Sequence, residues 1–198
     1  MPQPLILAST SRYRAALLER LGLPFRVAAP RVAEDQRPGE APAARASRLA
    51  LAKAQAVAAT HPGCWVLGSD QVADCDGRIL EKPGTVENCR EQLAACSGRS
   101  VAFFTAAALM RDGTDSVNQH VDRTSVRFRN LSAADIARYV ERDRPLDCAG
   151  GFRCEGLGIA LFEGIESDDP TALIGLPLIW VARALRDAGL DPLAAIQS

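Results

Sequence analysis

Hydrophobic positions along the chain follow two periods, one typical of strands and one typical of helices. The continuous apolar run from Leu5 to Ala8 predicts a buried strand, and the Ala-rich residues 43–60 carry apolar positions four apart, as on one face of a helix. Residues 65–82 predict two strands joined at Asp76-Gly77, a dipeptide typical of tight β-hairpin turns. Because the period switches repeatedly in this way, the chain is expected to have an α/β or α+β fold.

The remaining segments continue this alternation. A helix follows the first strand and ends at Gly22, and Thr85 and the Ser132–Asp135 pair supply N-terminal caps for two later helices. Further helices are predicted at 86–96, 133–142 and 175–188, further strands at 101–110, 117–128 and 159–166, and loops at 31–42, 111–116 and 150–158. No repeat or break in composition interrupts the series, so residues 1–198 are expected to form a single domain, in which two lobes can share one sheet.

Composition and charge argue against several classes of protein. The chain has 198 residues, 47% of them hydrophobic and 24% charged, which is typical of a globular protein with one substantial core. A formal net charge of -1 disfavours a nucleic-acid partner. We expect neither a secretory leader nor a membrane partner, because no apolar run approaches the roughly 18 residues of a spanning helix. Six cysteines without a CxxC pair are expected to be reduced thiols in a cytoplasmic protein.

The junction between the first strand and its helix, residues 9–14, reads STSRYR and is rich in hydrogen-bond donors. A helix N-terminus carries unpaired N–H groups and binds anions, the hydroxyls of Ser9 and Ser11 add donors, and the guanidinium of Arg14 matches phosphate oxygens. The alternative is that Ser11 only caps the helix and the arginines lie in solvent. Neither GxxxxGK[ST] nor GxGxxG occurs here, so the segment is neither a Walker loop nor a dinucleotide-binding loop.

Lys53 lies within an apolar helix face. Leu49, Lys53 and Val57 are each four residues apart and therefore share one stripe of the helix predicted at 43–60. Burial of an ammonium group costs free energy unless it meets an anion. Lys53 therefore either extends to solvent at the edge of the stripe or binds a negatively charged group.

Asp70 lies within an apolar strand, where alternation places it on the same face as Val66 and Val72. A buried carboxylate requires a partner, which is a cation, a metal ion or a bound substrate. The alternative is a purely structural ion pair or a bulge after Gly68. Lys82 ends the second strand of the hairpin, so the ladder that turns at Asp76-Gly77 brings Lys82 near Asp70. The sequence thus predicts a cation and a carboxylate at the open end of this hairpin.

These side chains together suit a nucleoside triphosphate and a divalent cation. Arg14, Lys53 and Lys82 supply positive charge, which would stabilise the charge that develops on a leaving pyrophosphate. Mg²⁺ commonly takes one or two carboxylates, here Glu34 and Asp70, together with phosphate oxygens. One of these carboxylates could instead accept the proton of the attacking water.

Two other functions would use the same phosphate-binding groups. A nucleotide-binding regulatory protein, for instance in cell division, would hold a triphosphate without hydrolysing it, and it needs no carboxylate facing the phosphates unless it carries a metal. A nucleotidyltransferase would require an acceptor pocket and typically a GxG-type loop, which the phosphate-binding segment lacks. Release of pyrophosphate with and without Mg²⁺ distinguishes hydrolysis from binding.

Seven blocks spread in order over nearly the whole chain carry a resemblance to a known family. They are LILASTSRYRAALLERLGLPF, RLALAKAQAV, LGSDQV, DGRILEKPGTVENCREQLAACSGR, LSAADIARYV, PLDCAGGFRCEGLGIALFE and LIGLPLIWVARALRDAGL. Together they resemble the Maf family of nucleotide pyrophosphatases. The resemblance implies a Maf/ITPase-like α/β fold, in which helices flank a two-lobed mixed sheet and the substrate cleft lies between the lobes. It also implies a homodimer that hydrolyses a nucleoside triphosphate to the monophosphate and pyrophosphate with a divalent metal, Mg²⁺ or Mn²⁺.

The same resemblance implies roles for single residues. Asp70 matches the proposed proton acceptor, and Glu34 and Asp70 match the carboxylates at the metal. The phosphate-binding positions of the family are matched by Ser9, Arg14, Lys53 and Lys82.

The nucleobase preference is also implied by resemblance. The blocks GSDQV and CAGGFRCEGLG resemble the subgroup that prefers 7-methyl-GTP, rather than the dTTP/UTP subgroup, and Tyr13, Gln71 and Glu155 match its specificity positions. A carboxylate such as Glu155 accepts hydrogen bonds from N1–H and N2–H₂ of guanine. Methylation at N7 makes the base cationic, which favours both a carboxylate and an aromatic face such as that of Tyr13.

Three positions depart from the family's pattern. Where the family commonly has Ser-Pro-x-Arg-Arg, this chain has Ser11-Arg12-Tyr13-Arg14-Ala15, so the proline and the second arginine are lost. Arg12 can replace the missing charge, but it leaves the helix about 100° round from Tyr13. Glu81 stands where glycine is usual before Lys-Pro, and a carboxylate there would either repel substrate or join the metal ligands.

Overall fold

The computed structural model describes residues 4–112 and 117–194, which fold into one mixed sheet with helices on its faces. The strands are β1 (Leu5–Ala8), β2 (Phe25–Ala28), β3 (Trp65–Cys75), β4 (Arg78–Leu80), β5 (Ser100–Arg111), β6 (Val117–Phe128) and β7 (Phe162–Glu166). The helices are α1 (Arg12–Glu19), α2 (Pro42–Ala58), α3 (Val86–Cys96), α4 (Ala133–Asp143) and α5 (Leu178–Asp187). Short 3-10 turns lie at Ala149–Gly151, Leu157–Leu161 and Ala172–Ile174.

The sheet has the strand order β2-β1-β3-β5-β6-β7, with β4 paired to β3. Strand β1 runs parallel to both β2 and β3, and the other pairs are antiparallel. The register pairs Ala8 with Gly68, so the segment that leaves β1 begins beside Ser69 and Asp70 in the middle of β3. This topology brings the loop after β1 to the predicted carboxylate.

Two groups of helices cover two parts of the sheet. Helix α2 packs on one face of β1, β3 and β5, while α1 and α5 pack on the opposite face around Leu18, Leu67 and Leu185. Helices α3 and α4 enclose a second core with Phe103 and the aromatic ring of Phe152, whose centroids lie 5.4 Å apart. The structure therefore confirms a mixed α/β fold with helices flanking a sheet that two core regions share.

Gly68 permits an unusually close approach of α2 to the sheet. A Cβ atom at this position would lie 2.2 Å from the carbonyl oxygen of Ala50 and 2.7 Å from the amide nitrogen of Ala54. Both alanines are fully buried, so small side chains on α2 and the missing side chain on β3 together bring the two backbones into contact. Glycine is required at position 68 because no side chain fits between β3 and the backbone of α2.

Several predicted boundaries need correction. Strand β2 was not predicted, because it is short and has exposed residues. It is a strand because it pairs with β1, and not because of its own hydrophobic pattern. The strand predicted at 159–166 begins only at Phe162, after a 3-10 turn, and the last helix begins at Leu178, after Pro177. Strand β4 ends at Leu80, so Lys82 follows the strand instead of ending it.

Other predictions can be compared directly. Ser132 and Asp135 form the predicted capping box of α4, and all six cysteines are free thiols. The predicted loop at 111–116 falls largely on residues 113–116, outside those that the structure describes. Within the two described stretches, no helix combines the length and the apolar character that crossing a membrane requires.

Candidate active site

A cavity of about 570 Å³ opens at the end of β1, between α2, the hairpin β3–β4 and the segment from Asp147 to Glu155. Its wall draws on both core regions, so it corresponds to the cleft expected between two lobes. Every residue singled out from the sequence as a site residue lines this cavity: Ser9, Tyr13, Arg14, Glu34, Lys53, Asp70, Gln71, Lys82 and Glu155.

The centre of the cavity holds a lysine between two carboxylates. Nζ of Lys53 lies 2.6 Å from Oδ1 of Asp70 and 2.7 Å from Oε1 of Glu34. The side chains of Lys53 and Asp70 are only 8% and 10% exposed, whereas that of Glu34 is 58% exposed. The sequence left two arrangements possible for Lys53. The structure shows its ammonium group paired with negatively charged side chains and not extended to solvent.

Local packing explains why Lys53 and Asp70 meet. Strand alternation turns Asp70 toward α2, on the face where Val66 and Val72 pack, as the sequence predicted. Because Gly68 lets α2 lie directly on β3, the lysine side chain reaches the carboxylate two residues further along the strand. The apolar stripe on α2 therefore holds the ammonium group against the sheet.

The loop after β1 is ordered by its own hydroxyls. Oγ of Ser11 caps α1 and accepts a hydrogen bond from the Arg14 amide at 3.4 Å, and Oγ of Ser9 accepts one from the Ser11 amide at 3.1 Å. Ser11 therefore caps α1, as the alternative held, but of the two arginines only Arg12 is exposed. The cap also points the N-terminus of α1 into the cavity wall, where Ser9, Thr10 and Ser11 all lie.

The guanidinium of Arg14 lies in the protein and not in solvent. Its Nε donates to the carbonyl of Gly175 at 2.9 Å, and Oγ of Ser69 donates to the same carbonyl at 3.0 Å. Burial lowers the pKa of Arg14 from its ordinary value, and the negative charges of Asp70 and Glu34 oppose that shift. An arginine remains charged at neutral pH, so Arg14 contributes a fixed positive charge to the cavity.

Glu34 is positioned through its backbone. The guanidinium of Arg45 donates to the carbonyl of Glu34 at 3.1 Å and to the carboxylate of Glu81 at 2.9 Å. Partial burial raises the pKa of Glu34, but the hydrogen bond and charge of Lys53, with smaller effects of Lys82 and Arg14, outweigh it and hold the pKa below its usual range. The carboxyl group of Glu34 is therefore ionised at neutral pH.

The pairing with Arg45 also accounts for Glu81, one of the departures from the family pattern. Its carboxylate forms an ion pair with Arg45 at 2.9 Å, so its negative charge is compensated within the protein. Lys82, the next residue, is exposed on the cavity wall and makes no hydrogen bond or ion pair with any residue in 4–112 or 117–194. Its ammonium group is available to a bound anion.

Tyr13 lines the cavity beside Asp147, with Arg12 folded onto its ring. The guanidinium carbon of Arg12 lies 4.8 Å from the centre of the Tyr13 ring, and Arg12 donates to the Tyr13 hydroxyl at 2.8 Å. Arg12 also lies 3.7 Å from the carboxylate of Asp147. Arg12 thus leaves the helix away from Tyr13, as expected, but its long side chain returns to cover the ring.

The other two specificity candidates differ in how they are held. The amide nitrogen of Gln71 donates to Oγ1 of Thr105 at 2.9 Å and to the carbonyls of Ala172 and Leu173 at 3.1 Å each, so it is committed to the protein. Its amide oxygen is the group left for a ligand. Glu155 is exposed at the rim, where its Oε2 accepts a weak hydrogen bond from Sγ of Cys154 at 3.6 Å.

The donor set fits a hard divalent cation shared with a substrate. Asp70 and Glu34 bring two carboxylates to one point of the cavity, which is the number that Mg²⁺ usually takes from a protein. Across residues 4–112 and 117–194 there is no cluster of three or more ligating side chains, so phosphate oxygens would complete the coordination.

Sequence reasoning missed several residues of the site. Arg45, Ser69 and Gly175 are seen only in the structure, because their contacts join segments far apart in the chain. Gly175 has a φ of 129°, a conformation that favours glycine. The glycine in LIGLPL could therefore have indicated a turn at this position.

Known proteins resemble this chain over nearly its whole length. A protein called 7-methyl-GTP pyrophosphatase from Xanthomonas axonopodis pv. citri is 56% identical over 191 residues, which cover 96% of this chain and 99% of that protein. A protein of the same name from Bordetella pertussis is 54% identical over 193 residues, covering 98% and 96%. A solved structure of the Staphylococcus aureus Ham1 protein has a TM-score of 0.46 at 14% identity and covers 77% of this chain and 88% of that one, too weak a likeness to support a conclusion. Residues 4–188 match the family described as Maf-like protein, and the chain therefore belongs to the Maf family.

Proposed function

We propose that this protein hydrolyses 7-methyl-GTP to 7-methyl-GMP and pyrophosphate with the help of a divalent metal, Mg²⁺ or Mn²⁺, and so removes a modified nucleotide from the nucleotide pool. The observation that carries the proposal is the buried lysine between Asp70 and Glu34, in the same cavity as Arg14 and Lys82. The names of the Xanthomonas and Bordetella relatives support the same substrate.

The triphosphate would bind along the wall that carries the positive groups. Arg14 and Lys82 face the cavity, and the N-terminus of α1 with Ser9 adds hydrogen-bond donors. Arg14 is held in place by the carbonyl of Gly175, so its charge is preorganised before substrate binds. Such groups stabilise the negative charge that grows on the leaving pyrophosphate.

Asp70 is the proposed proton acceptor for the attacking water. Its Oδ1 is held by Lys53 at 2.6 Å, which fixes the carboxylate and would leave its second oxygen for proton transfer or metal binding. Asp70 and Glu34 would hold the divalent metal, which when bound supplies positive charge at the phosphate oxygens. Attack at the α-phosphorus gives a nucleoside monophosphate and pyrophosphate, the products proposed here.

Selection of the base would take place at the opposite end. The Glu155 carboxylate can accept the two N–H donors of guanine, and the aromatic ring of Tyr13 can attract a base made cationic by N7 methylation. The amide oxygen of Gln71 offers a further acceptor on the floor of the cavity. The remaining expectations, a homodimer in the cytoplasm with neither nucleic acid nor membrane as a partner, form part of the same proposal.

The test is release of pyrophosphate by the purified protein from 7-methyl-GTP, GTP, CTP, UTP and dTTP, each with Mg²⁺, Mn²⁺ or EDTA. We expect metal-dependent release that is fastest with 7-methyl-GTP. Binding of 7-methyl-GTP without any release would favour the regulatory, non-hydrolysing alternative. Faster release from dTTP or UTP would contradict the proposed substrate while leaving the reaction in place.

A further inference from the structure

The segment that carries Glu155 is fastened to the protein by the residue two positions before it. Phe152 fills the aromatic core, with its ring centroid 4.8 Å from that of Phe162, and the chain then turns outward to the cavity rim. Arg153 is half-buried at this turn, and its amide donates to the Tyr139 hydroxyl at 3.0 Å. The backbone is therefore held on both sides of the point where it leaves the core.

The guanidinium of Arg153 binds the carboxyl end of α4. Its Nη2 donates to the carbonyl of Asp143 at 3.0 Å and to the Asp143 carboxylate. The carboxylate side chain is only 8% exposed, so this ion pair is largely removed from water. Asp143 is the last residue of α4, where the helix dipole also favours a cation.

The turn after Glu155 closes on the same ion pair. A Cβ atom at Gly156 would lie 3.3 Å from both carboxylate oxygens of Asp143, and one at Gly158 would lie 2.4 Å from the carbonyl oxygen of Arg153. Glu155, although exposed, therefore lies in the chain between Arg153 and Gly156, both of which lie against Asp143. The position of its carboxylate at the rim depends on this pair.

The guanidinium of Arg153 therefore joins the segment of Glu155 to the end of α4. None of the residues predicted from the sequence to bind phosphate takes part in these contacts.

We propose that Arg153 is a positioning residue for nucleobase selection, because it holds the segment that carries Glu155 to Asp143 at the end of α4. The inference rests on the proposed function, since it concerns the base that this cavity selects. Loss of the bridge would free the Glu155 segment and weaken contacts to the base, while Asp70, Lys53 and Arg14 keep their positions at the other end of the cavity. The effect should fall on substrate binding and preference, and not on the chemical step.

Arg153→Met removes the guanidinium and keeps an unbranched side chain. We expect the KM for 7-methyl-GTP to rise about tenfold and the preference for 7-methyl-GTP over GTP to fall by a similar factor, as for loss of roughly one charged hydrogen bond. The kcat for 7-methyl-GTP should change less than about threefold. Asp143→Asn should act in the same direction, and the double variant should be no worse than the worse single variant, because both remove one coupled contact.

Arg127→Met is a matched control. Arg127 forms a 2.6 Å ion pair with Glu166 on the sheet, outside the cavity. Its replacement by methionine should therefore leave the KM and the substrate preference unchanged. If Arg153→Met does not fold, Arg153→Lys decides the question. It keeps the charge but holds the carbonyl and the carboxylate of Asp143 less completely, so it should lose part of the preference.

Unchanged KM and preference in a folded Arg153 variant would overturn the inference, as would an equal fall in kcat for 7-methyl-GTP and GTP. Equilibrium binding of 7-methyl-GMP and GMP gives a second readout that needs no hydrolysis. A wild-type protein that binds 7-methyl-GMP more tightly than GMP but releases no pyrophosphate would refute the proposed function alone. Loss of that binding difference in Arg153→Met would still support the role of Arg153.

Discussion

Replacement of Asp70 by asparagine separates catalysis from stability at the centre of the cavity. The change removes the carboxylate that we propose accepts the proton, but it keeps the size of the side chain and an oxygen that can accept from Nζ of Lys53. Glu34 remains 2.7 Å from the same ammonium group, so the lysine still has a negatively charged partner. The two consequences of the change should therefore differ greatly in size.

The magnitudes follow from the burial of the pair. Removal of one partner from a buried ion pair costs about 3–5 kcal/mol when the other charge is left alone. Here the neighbouring Glu34 and the retained hydrogen bond reduce that cost to about 1–2 kcal/mol, or roughly 2–8 °C in Tm for a chain of this length. Loss of general-base catalysis lowers the rate by about 10²–10⁴-fold. We expect a folded protein with nearly no turnover.

The assay combines pyrophosphate release under saturating 7-methyl-GTP with thermal unfolding. Lys53→Met is the matched comparison, because it leaves Asp70 and Glu34 facing each other without a cation and should cost about 3–5 kcal/mol of unfolding free energy. Turnover by Asp70→Asn within about threefold of the wild-type value would refute the assignment of Asp70 as proton acceptor. A larger loss of stability in Asp70→Asn than in Lys53→Met would refute the argument that Glu34 still compensates the charge of Lys53 when Asp70 is replaced.

Other changes test separate parts of the structure. Lys82→Ala should lower kcat about tenfold or more with a smaller effect on KM, since its free ammonium group acts on developing charge; an unchanged kcat would argue against it. Glu155→Gln should lower the preference for 7-methyl-GTP over GTP in the pyrophosphate assay, and an unaltered ratio would exclude its role in base selection. Gly68→Ala should cost about 3 kcal/mol or more in chemical denaturation, because its Cβ would overlap the backbone of α2. The hydrogen bond from Arg48 lowers the pKa of Glu40 from 4.5 to about 2, so the stability that this pair adds is complete above pH 4.5 and is lost as the pH falls toward 2. Glu40→Gln should therefore flatten this part of the acid unfolding curve, and an identical curve would show that the pair adds nothing.

The site could be predicted from the sequence because its polar residues break strong apolar patterns. Lys53 interrupts a helix stripe and Asp70 interrupts a strand, and each pattern specified the face on which its exception lies. The turn at Asp76-Gly77 brings Lys82 to the wall of the cavity that Asp70 also lines, although β4 is shorter than expected. Local rules were sufficient for these residues.

Residues that act through distant contacts could not be predicted in this way. Arg45 looked like one more polar position of α2, and only the fold brings its guanidinium to the carbonyl of Glu34. Strand β2 has an exposed valine and arginine, so its sequence carries little sign of a strand until β1 lies beside it. In both cases the determining partner is supplied by tertiary structure.

The lysine shared by two carboxylates has a consequence for the order in which the cavity fills. A bare divalent ion entering alone would have to compete with an ammonium group already seated on both of its prospective ligands. An ion that arrives on a triphosphate carries most of its oxygen ligands with it and needs to displace much less. We therefore expect feeble uptake of Mg²⁺ by the nucleotide-free protein, with the metal–nucleotide complex as the species that docks.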